Sequence, residues 1–456
     1  MPADPRQPRV AVRTLGCKVN RTESEAISEA LLAHGVELAV TEADADAVVV
    51  NTCTVTGEAD AKARKAVRRA LAAAPAAPVV VTGCLAAVDA PALAALGERV
   101  VVVAAKSQVA EAVLELLDRD RREPPTGLGA ARPASPAFRT RVMVKVQDGC
   151  DHRCAYCIVP DARGVPTSVP LPQVVDRVRA LVAAGTREVV LTGVNIGRYA
   201  VSRHDGDPDG GPARSGGLSA LIEAVAATGV QRIRISSIEP VDLTPALLAT
   251  LAATTAVVPH LHVPLQSGCD ATLAAMRRGY DTALFADALQ RAHAALPGLA
   301  VSTDVIAGFP GESDDDFDTS LAFVERCGFS KLHVFRYSRR AGTPAASMDA
   351  QVDPAVSAAR AAHLRTLGGH LELRHAAARV GQPADILVER VRAGIALGTT
   401  EDHLRVELRA SDLRPGDLVH VVLEGSGIVL GGSIVGTTRE SVHDTESEES
   451  DPLAAR

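Results

Sequence analysis

Eight cysteines are spread over 456 residues, and three of them fall within eight positions: Cys150-Asp-His-Arg-Cys154-Ala-Tyr-Cys157. A loop this short brings its thiolates to one place, and thiolates suit iron–sulfur clusters or zinc. A structural zinc site wants four protein ligands, usually in Cys-x-x-Cys pairs. Here there are three, with gaps of three and two residues and no partner pair nearby. A 4Fe–4S cluster held by three cysteines leaves one iron open, and an open iron can chelate a small molecule. The expectation is a metal site on Cys150, Cys154 and Cys157.

Three more cysteines lie upstream. Cys17, Cys53 and Cys84 each sit just past the carboxyl end of a predicted strand, at 9–15, 46–51 and 78–83. In an open α/β sheet those ends form one edge, where ligands bind. One such cysteine is usually core. Three at the same structural position predict a second thiolate cluster. Cys269 and Cys327 lack triplet partners and read as structural.

The elements that must position these groups follow from the apolar pattern. Val-rich runs at 9–15, 46–51, 78–83 and 100–104 lack polar alternation, as expected of strands buried on both faces. Helical patterns occupy 22–34, 57–73, 89–96 and 107–118, so residues 8–118 read as a small doubly wound α/β domain. Residues 119–137, rich in Pro, Gly and Arg, read as a linker. Strand patterns at 142–147, 187–192, 231–236, 260–265, 300–306 and 331–337 alternate with helical stretches across 138–375. Six such units are too few for a complete barrel and predict a partial six-unit (β/α) barrel. Residues 201–217 read as a surface insertion. The short strands DILVERV, HLRVEL, DLVHVVL and GGSIVG within 378–437 predict a small β-barrel, a type of module that often binds RNA. Residues 438–456 carry six acids against two arginines and read as a disordered tail. The predicted architecture is therefore α/β with a C-terminal β-barrel.

Composition narrows the functional class. The chain is 47% hydrophobic and 23% charged, as in ordinary globular proteins, and its net charge is −7, which excludes a uniformly basic nucleic-acid coat. Predicted helix 57–73 nevertheless carries Lys62, Lys65 and Arg69 on one face, with Arg64 and Arg68 beside them, a local surface suited to RNA phosphates or simply to solvent. No long uncharged apolar run predicts a membrane span, and MPADPRQPRV has no apolar signal core. Both point to a cytoplasmic protein with reduced cysteines and no membrane partner.

The Cys-x-x-x-Cys-x-x-Cys loop on a six-unit barrel resembles the radical S-adenosylmethionine (SAM) superfamily. Thr14-Leu15-Gly16-Cys17-Lys18-Val19-Asn20, Asn51-Thr52-Cys53-Thr54-Val55-Thr56, Thr82-Gly83-Cys84-Leu85, Gln147-Asp148-Gly149-Cys150 and Ala162-Arg163-Gly164 resemble the methylthiotransferase family within it. The resemblance runs from about residue 9 to about 437. It implies two 4Fe–4S clusters, with SAM as both radical source and methyl donor. It also implies a tRNA substrate, an electron donor of flavodoxin or ferredoxin type, and a sulfur donor. Lys18-Val19 is most similar to the branch acting on threonylcarbamoyladenosine in tRNA. The isopentenyladenosine branch usually has Gln-Met there, and a third branch modifies an aspartate of a ribosomal protein. The alternative of a different class is a non-catalytic RNA-binding protein with structural zinc.

Further roles come with the resemblance. Tyr156, Gly193 and Asn195 would line the SAM pocket, Glu239 would hold the ribose hydroxyls, and Ile306 and Gly308 would form a flat surface for adenine. Lys18 would pair with the substrate carboxylate, since a buried carboxylate without a cation costs several kcal/mol. Arg340 would meet an anionic group of SAM or tRNA. His262 reads equally as functional or as satisfying a loop. The C-terminal barrel resembles the TRAM module. Pro166 and Val169 stand where the family often has arginines, and Asp402 and His403 where it tends to have Asn and Tyr.

Overall fold

The computed structural model describes residues 7–118, 140–200, 217–410 and 412–438. The predicted linker 119–137 lies outside the described residues. So do the predicted insertion, apart from Gly217, and the predicted tail, apart from Thr438.

The valine runs form parallel strands. The strands β1 (Arg9–Thr14), β2 (Glu37–Leu38), β3 (Ala47–Thr52), β4 (Val79–Gly83) and β5 (Val100–Val102) are arranged β2-β1-β3-β4-β5. The exposed two-residue β2 has no periodicity to read. Helices α1 (Lys18–Ala33) and α5 (Val109–Asp118) cover one face with Val10, Val49 and Val80. Helices α2 (Gly57–Ala73), α3 (Cys84–Val88) and α4 (Ala90–Ala94) cover the other with Val48, Val50, Val79 and Val81. Consecutive valines thus serve opposite layers, which is why polar alternation is missing. Helix α1 starts four residues before the predicted 22, because Cys17 is its extended N-cap. The predicted helix 89–96 is the shorter α4, and α3, which ends before Asp89, is an additional helix that the pattern did not show.

The next region holds β6 (Arg141–Lys145), β7 (Gln147–Asp148), β8 (Thr167–Ser168), β9 (Glu188–Thr192), β10 (Arg232–Ile235), β11 (His260–His262), β12 (Ala300–Ala307) and β13 (Lys331–Arg336). Two parallel sheets, β6-β9-β10 and β11-β12-β13, are joined by the bridges Ile233–Val257 and Ser237–His262 into a six-stranded half-barrel. The short pair β7 and β8 flanks the cysteine loop. Helices α6 (Val159–Arg163), α7 (Leu171–Ala183), α8 (Gly217–Ala226), α9 (Pro245–Ala253), α10 (Asp270–Ala275), α11 (Thr282–Ala295), α12 (Asp314–Cys327) and α13 (Pro354–Arg379) complete it. Val144, Val189, Leu191, Ile233, Ile235, Leu261, Val301 and Val305 belong to the core under the helices. Alternation then puts Lys145, Glu188, Arg234, His262, Ser302, Asp304 and His333 on the opposite, concave face.

The α/β domain and the half-barrel form one compact unit up to His375, and a second unit begins at Ala376. The second unit holds β14 (Pro383–Arg392), β15 (Ile395–Thr400), β16 (Arg405–Arg409), β17 (Leu418–Glu424) and β18 (Val429–Thr438), closed in the order β14-β15-β16-β18-β17. Patterning gave four of these strands and missed β15. Gly398 breaks its apolar pattern but not the strand, and a Cβ there would lie 2.4 Å from Ile386 Cγ2. Among the described residues no helix is long and apolar enough to cross a membrane.

The departure at Asp402 has a structural reason. Its side chain is 2% exposed, 2.8 Å from Arg379 Nε, and it accepts a hydrogen bond from Thr400. Asp402→Asn should remove this ion pair and leave Arg379 to Glu401, at a cost of about 1–3 kcal/mol. Hydrogen exchange at the β15 and β16 amides should then quicken by about tenfold or more. Unchanged protection would show that the pair carries no stability.

Candidate functional site

Strands β1, β3 and β4 end at one edge, with Thr14 opposite Asn51 and Thr52 opposite Gly83. Cys17, Cys53 and Cys84 follow immediately. The approach is close enough to demand glycine twice. A Cβ on Gly16 (φ +100°) would lie 2.5 Å from Cys53 Cβ, and one on Gly83 (φ +93°) 2.2 Å from the Thr52 carbonyl. Asn20 ties the loops together. Its Nδ2 donates to the Leu15 and Thr52 carbonyls at 2.9 and 2.8 Å, and its Oδ1 receives the thiols of Cys17 and Cys84 at 3.7 and 3.9 Å. Asn51 in turn donates to the Asn20 carbonyl at 2.8 Å. Cys17 is exposed, while Cys53 and Cys84 are buried. Burial pushes the Cys53 thiol up to about 11 and raises Cys84, against the pull of Arg163 and Lys106.

In the half-barrel loop every sulfur has a donor. The His152 N–H meets Cys150 Sγ at 3.4 Å, the Val159 N–H meets Cys157 Sγ at 3.4 Å, and Arg278 Nη1 meets Cys154 Sγ at 3.3 Å. Burial raises Cys150 and pushes Cys157 up to about 12. Gly149 (φ +73°) allows the chain to pass Val165, whose carbonyl would lie 2.1 Å from a Cβ. Within each triplet the thiols sense one another's charge. Yet among the described residues no three His, Cys, Asp or Glu side chains close around a single ion.

The two triplets share a bridge that sequence reasoning missed. Arg163, with its side chain 3% exposed, donates to Asn20 Oδ1 at 2.6 Å, Glu23 Oε1 at 2.9 Å and Asp148 Oδ1 at 2.9 Å. Lys145 reaches Glu23 at 2.9 Å and Asp148 at 2.5 Å, and Lys106 reaches Glu23 at 3.0 Å. Burial alone would raise both acids, but Arg163 and Lys145 outweigh it, holding Asp148 at about 2 and Glu23 below its ordinary value. The signal was present in the Ala162-Arg163-Gly164 and Gln147-Asp148-Gly149 motifs, without their partners.

The other predicted site residues fall around this bridge. Gln147 accepts from the Asn195 N–H at 2.9 Å and lies 2.9 Å from where a Gly193 Cβ would stand. Both side-chain polar atoms of buried Asn195 lack protein partners. Tyr156 and Ile306 pack against Ala155, Met276 and Phe309 beside the cysteine loop. Glu239 pairs with Arg278, the same guanidinium that meets Cys154, and makes no helix-cap hydrogen bond. Burial raises its carboxyl against Arg278. His262 meets Ser302 Oγ at 2.9 Å and Asp304 at 3.2 Å. Lys18 is exposed to solvent yet hemmed in by protein: burial, then Arg234 and Arg141, push its ammonium below the ordinary value, against Asp304. A side chain in an open cleft has both properties. Helix α2 leaves Lys62, Lys65, Arg68 and Arg69 exposed, with Lys62 paired to Glu58 and Arg64 to Asp89.

Two predicted site residues make protein contacts that their sequence neighbours do not show. Arg340 is engaged within the protein. It is buried against Asp60 at 2.7 Å and Thr54, clamping the half-barrel to α2, while the Gly57 N–H donates to Ser338 Oγ at 2.8 Å. At Gly308 an added Cβ would lie 2.5 Å from Ser357 Cβ and Oγ.

Comparison with known proteins fits this geometry. Residues 9–105 match the family described as Uncharacterized protein family UPF0004, and residues 144–324 match the Radical SAM superfamily. The chain is similar to the threonylcarbamoyladenosine tRNA methylthiotransferase MtaB of Bacillus subtilis, 37% identical over 92% of this chain and 94% of that one. It is 36% identical to a tRNA-2-methylthio-N(6)-dimethylallyladenosine synthase of Acidothermus cellulolyticus, over 92% and 87%. In fold it resembles the radical S-adenosylmethionine methyltransferase TsrM of Kitasatospora setae, with a TM-score of 0.54 and 14% identity over 75% of each chain.

Arg163→Ala should remove one of the two cations that Glu23 and Asp148 share and leave them to Lys145 and Lys106, at a cost below the roughly 3–5 kcal/mol of a fully stranded buried charge. The urea midpoint of the unit ending at His375 should fall accordingly. An unchanged midpoint would mean that the bridge is not holding the domains together.

Proposed function

The chain belongs to the methylthiotransferase family of radical SAM enzymes, and from that premise we propose that it methylthiolates C2 of N6-threonylcarbamoyladenosine beside the tRNA anticodon, using two 4Fe–4S clusters. A SAM-binding 4Fe–4S cluster follows from the superfamily. Cys150, Cys154 and Cys157 would hold it, each sulfur already supplied with a hydrogen-bond donor that eases its negative charge. Cys17, Cys53 and Cys84 would hold the second. When bound, the cluster on Cys150, Cys154 and Cys157 together with SAM would supply a carbon radical able to take the hydrogen of an otherwise inert aromatic C–H.

The chain's own residues position and shield. Asn195 and Gly193, fixed by Gln147, would meet the amino end of SAM, and Glu239 its ribose hydroxyls. Arg278 neutralises Glu239 and steadies Cys154 at once. Tyr156 and Ile306 would wall the adenine side, and Gly308 would let α13 close behind them. A second SAM would give the methyl group. A flavodoxin- or ferredoxin-type reductant and a sulfur donor complete the requirement, and the exposed cations of α2 would track tRNA phosphates.

The observation that carries this reading is the Arg163 bridge, which ties Asn20, the partner of Cys17 and Cys84, to Asp148, two residues before Cys150. The choice of branch is supported by Lys18. It stands next to Cys17 and feels the charges of Arg234, Arg141 and Asp304; its ammonium would answer an incoming carboxylate, and an isopentenyl group would gain nothing from it. The dimethylallyladenosine relatives keep the isopentenyl branch as the second reading.

A competition between tRNAs bearing the two modifications tests the choice. Wild type should prefer the threonylcarbamoyl substrate, and Lys18→Gln should erode that preference by about tenfold, the value of one charge-assisted bond. Preference of wild type for the isopentenyl substrate would overturn the branch assignment, and an unchanged preference in the variant would overturn the role of Lys18.

A further inference from the structure

Of the phenylalanines among the described residues, Phe285, Phe309, Phe317, Phe323 and Phe329 are buried, whereas Phe335 is 42% exposed. Exposing one large ring in a chain with only 2% aromatics forfeits apolar burial. The ring's position suggests what it gains. Phe335 lies opposite Ile306 and His333 opposite Asp304 in the β12–β13 register. Val301, Val305 and Ala307 of β12 belong to the core under the helices. Asp304, Ile306, His333 and Phe335 therefore share the concave face.

Both ends of this stretch are tied to a cysteine triplet. On one side Ile306 packs in the cluster formed by Ala155, Tyr156 and Phe309, next to Cys154 and Cys157. On the other side the chain after β13 docks on the segment that follows Cys53: Ser338 accepts from the Gly57 N–H, and Arg340 holds Thr54 and Asp60. An exposed π-face between the two triplets, on the open edge strand of the half-barrel, matches an unpaired base. Any base offers a flat face to an aromatic ring, and a base that undergoes chemistry must leave its stack.

We propose that Phe335 is the stacking platform for the target adenine of the RNA substrate, a positioning residue that holds C2 between the two cysteine triplets. This rests on the tRNA-modification reading above. The platform requires a π-face and not merely apolar bulk, so tyrosine should serve and leucine should fail.

The test uses the full-length, anaerobically reconstituted protein and two anticodon stem-loop RNAs. One carries N6-threonylcarbamoyladenosine at the target position, and the other is abasic there. Wild type should bind the adenosine RNA about tenfold tighter than the abasic one, within the range of base–aromatic stacking. Phe335→Leu should bring that ratio close to one, and Phe335→Tyr should keep it. SAM affinity and RNA-independent SAM cleavage should be the same in all three. A ratio unchanged in Phe335→Leu, a ratio of one in wild type, or loss of the ratio in Phe335→Tyr would overturn the proposal. Weakened SAM binding in Phe335→Leu would overturn it too, by assigning the ring to the cofactor. Turnover of wild type on the same stem-loop judges the functional reading separately.

Discussion

One buried guanidinium sets the geometry on which the rest depends. Arg163 leaves the end of the barrel's cysteine loop and is shared among Asn20, Glu23 and Asp148. Asn20 receives two thiols of the first triplet, and Asp148 stands two residues before the first cysteine of the second. A charge so deeply buried is tolerable only when its partners are complete. Here two acids answer Arg163, Lys145 and Lys106. Such a network has few alternative arrangements, so together with the Arg340 and Ser338 contacts to the segment after Cys53 it holds the doubly wound domain against the half-barrel.

The same network shapes the electrostatics of both sites. Burial makes the thiols of Cys53, Cys84, Cys150 and Cys157 reluctant to ionise. Arg163 and Lys106 oppose that at Cys84, and Arg278 does so at Cys157. Metal binding deprotonates a thiol outright, so cations already in place reduce what the metal must offset. The concave face continues the theme, with Lys18, Arg141 and Arg234 against Asp304. Glu188, paired with Arg234 at 2.8 Å, balances part of that charge.

Much of this was legible because the chemistry is local. Cys150, Cys154 and Cys157 are fixed by spacing within one loop, and Cys17, Cys53 and Cys84 by their places after valine-rich strands. What escaped depended on distant partners. Arg163 sits in a quoted motif, yet Glu23 is 140 residues away. Arg340 looked like a free cation because its partner Asp60 is 280 residues upstream. The glycine at 308 was legible, but its closeness to Ser357 was not, since Ser357 arrives from another helix. Strand β15 hid behind Gly398, and Phe335 looked like any strand phenylalanine until its neighbours showed which face it takes.

The central claim is that two separate cysteine triplets each hold a cluster, and iron content with SAM cleavage tests it most directly. Anaerobically reconstituted wild type should carry about eight irons, and the Cys17→Ala/Cys53→Ala/Cys84→Ala variant about four, by the stoichiometry of 4Fe–4S clusters. That variant should still cleave SAM but leave tRNA without its methylthio group. If the variant keeps all the iron of wild type, the N-terminal triplet holds no cluster and the account is contradicted.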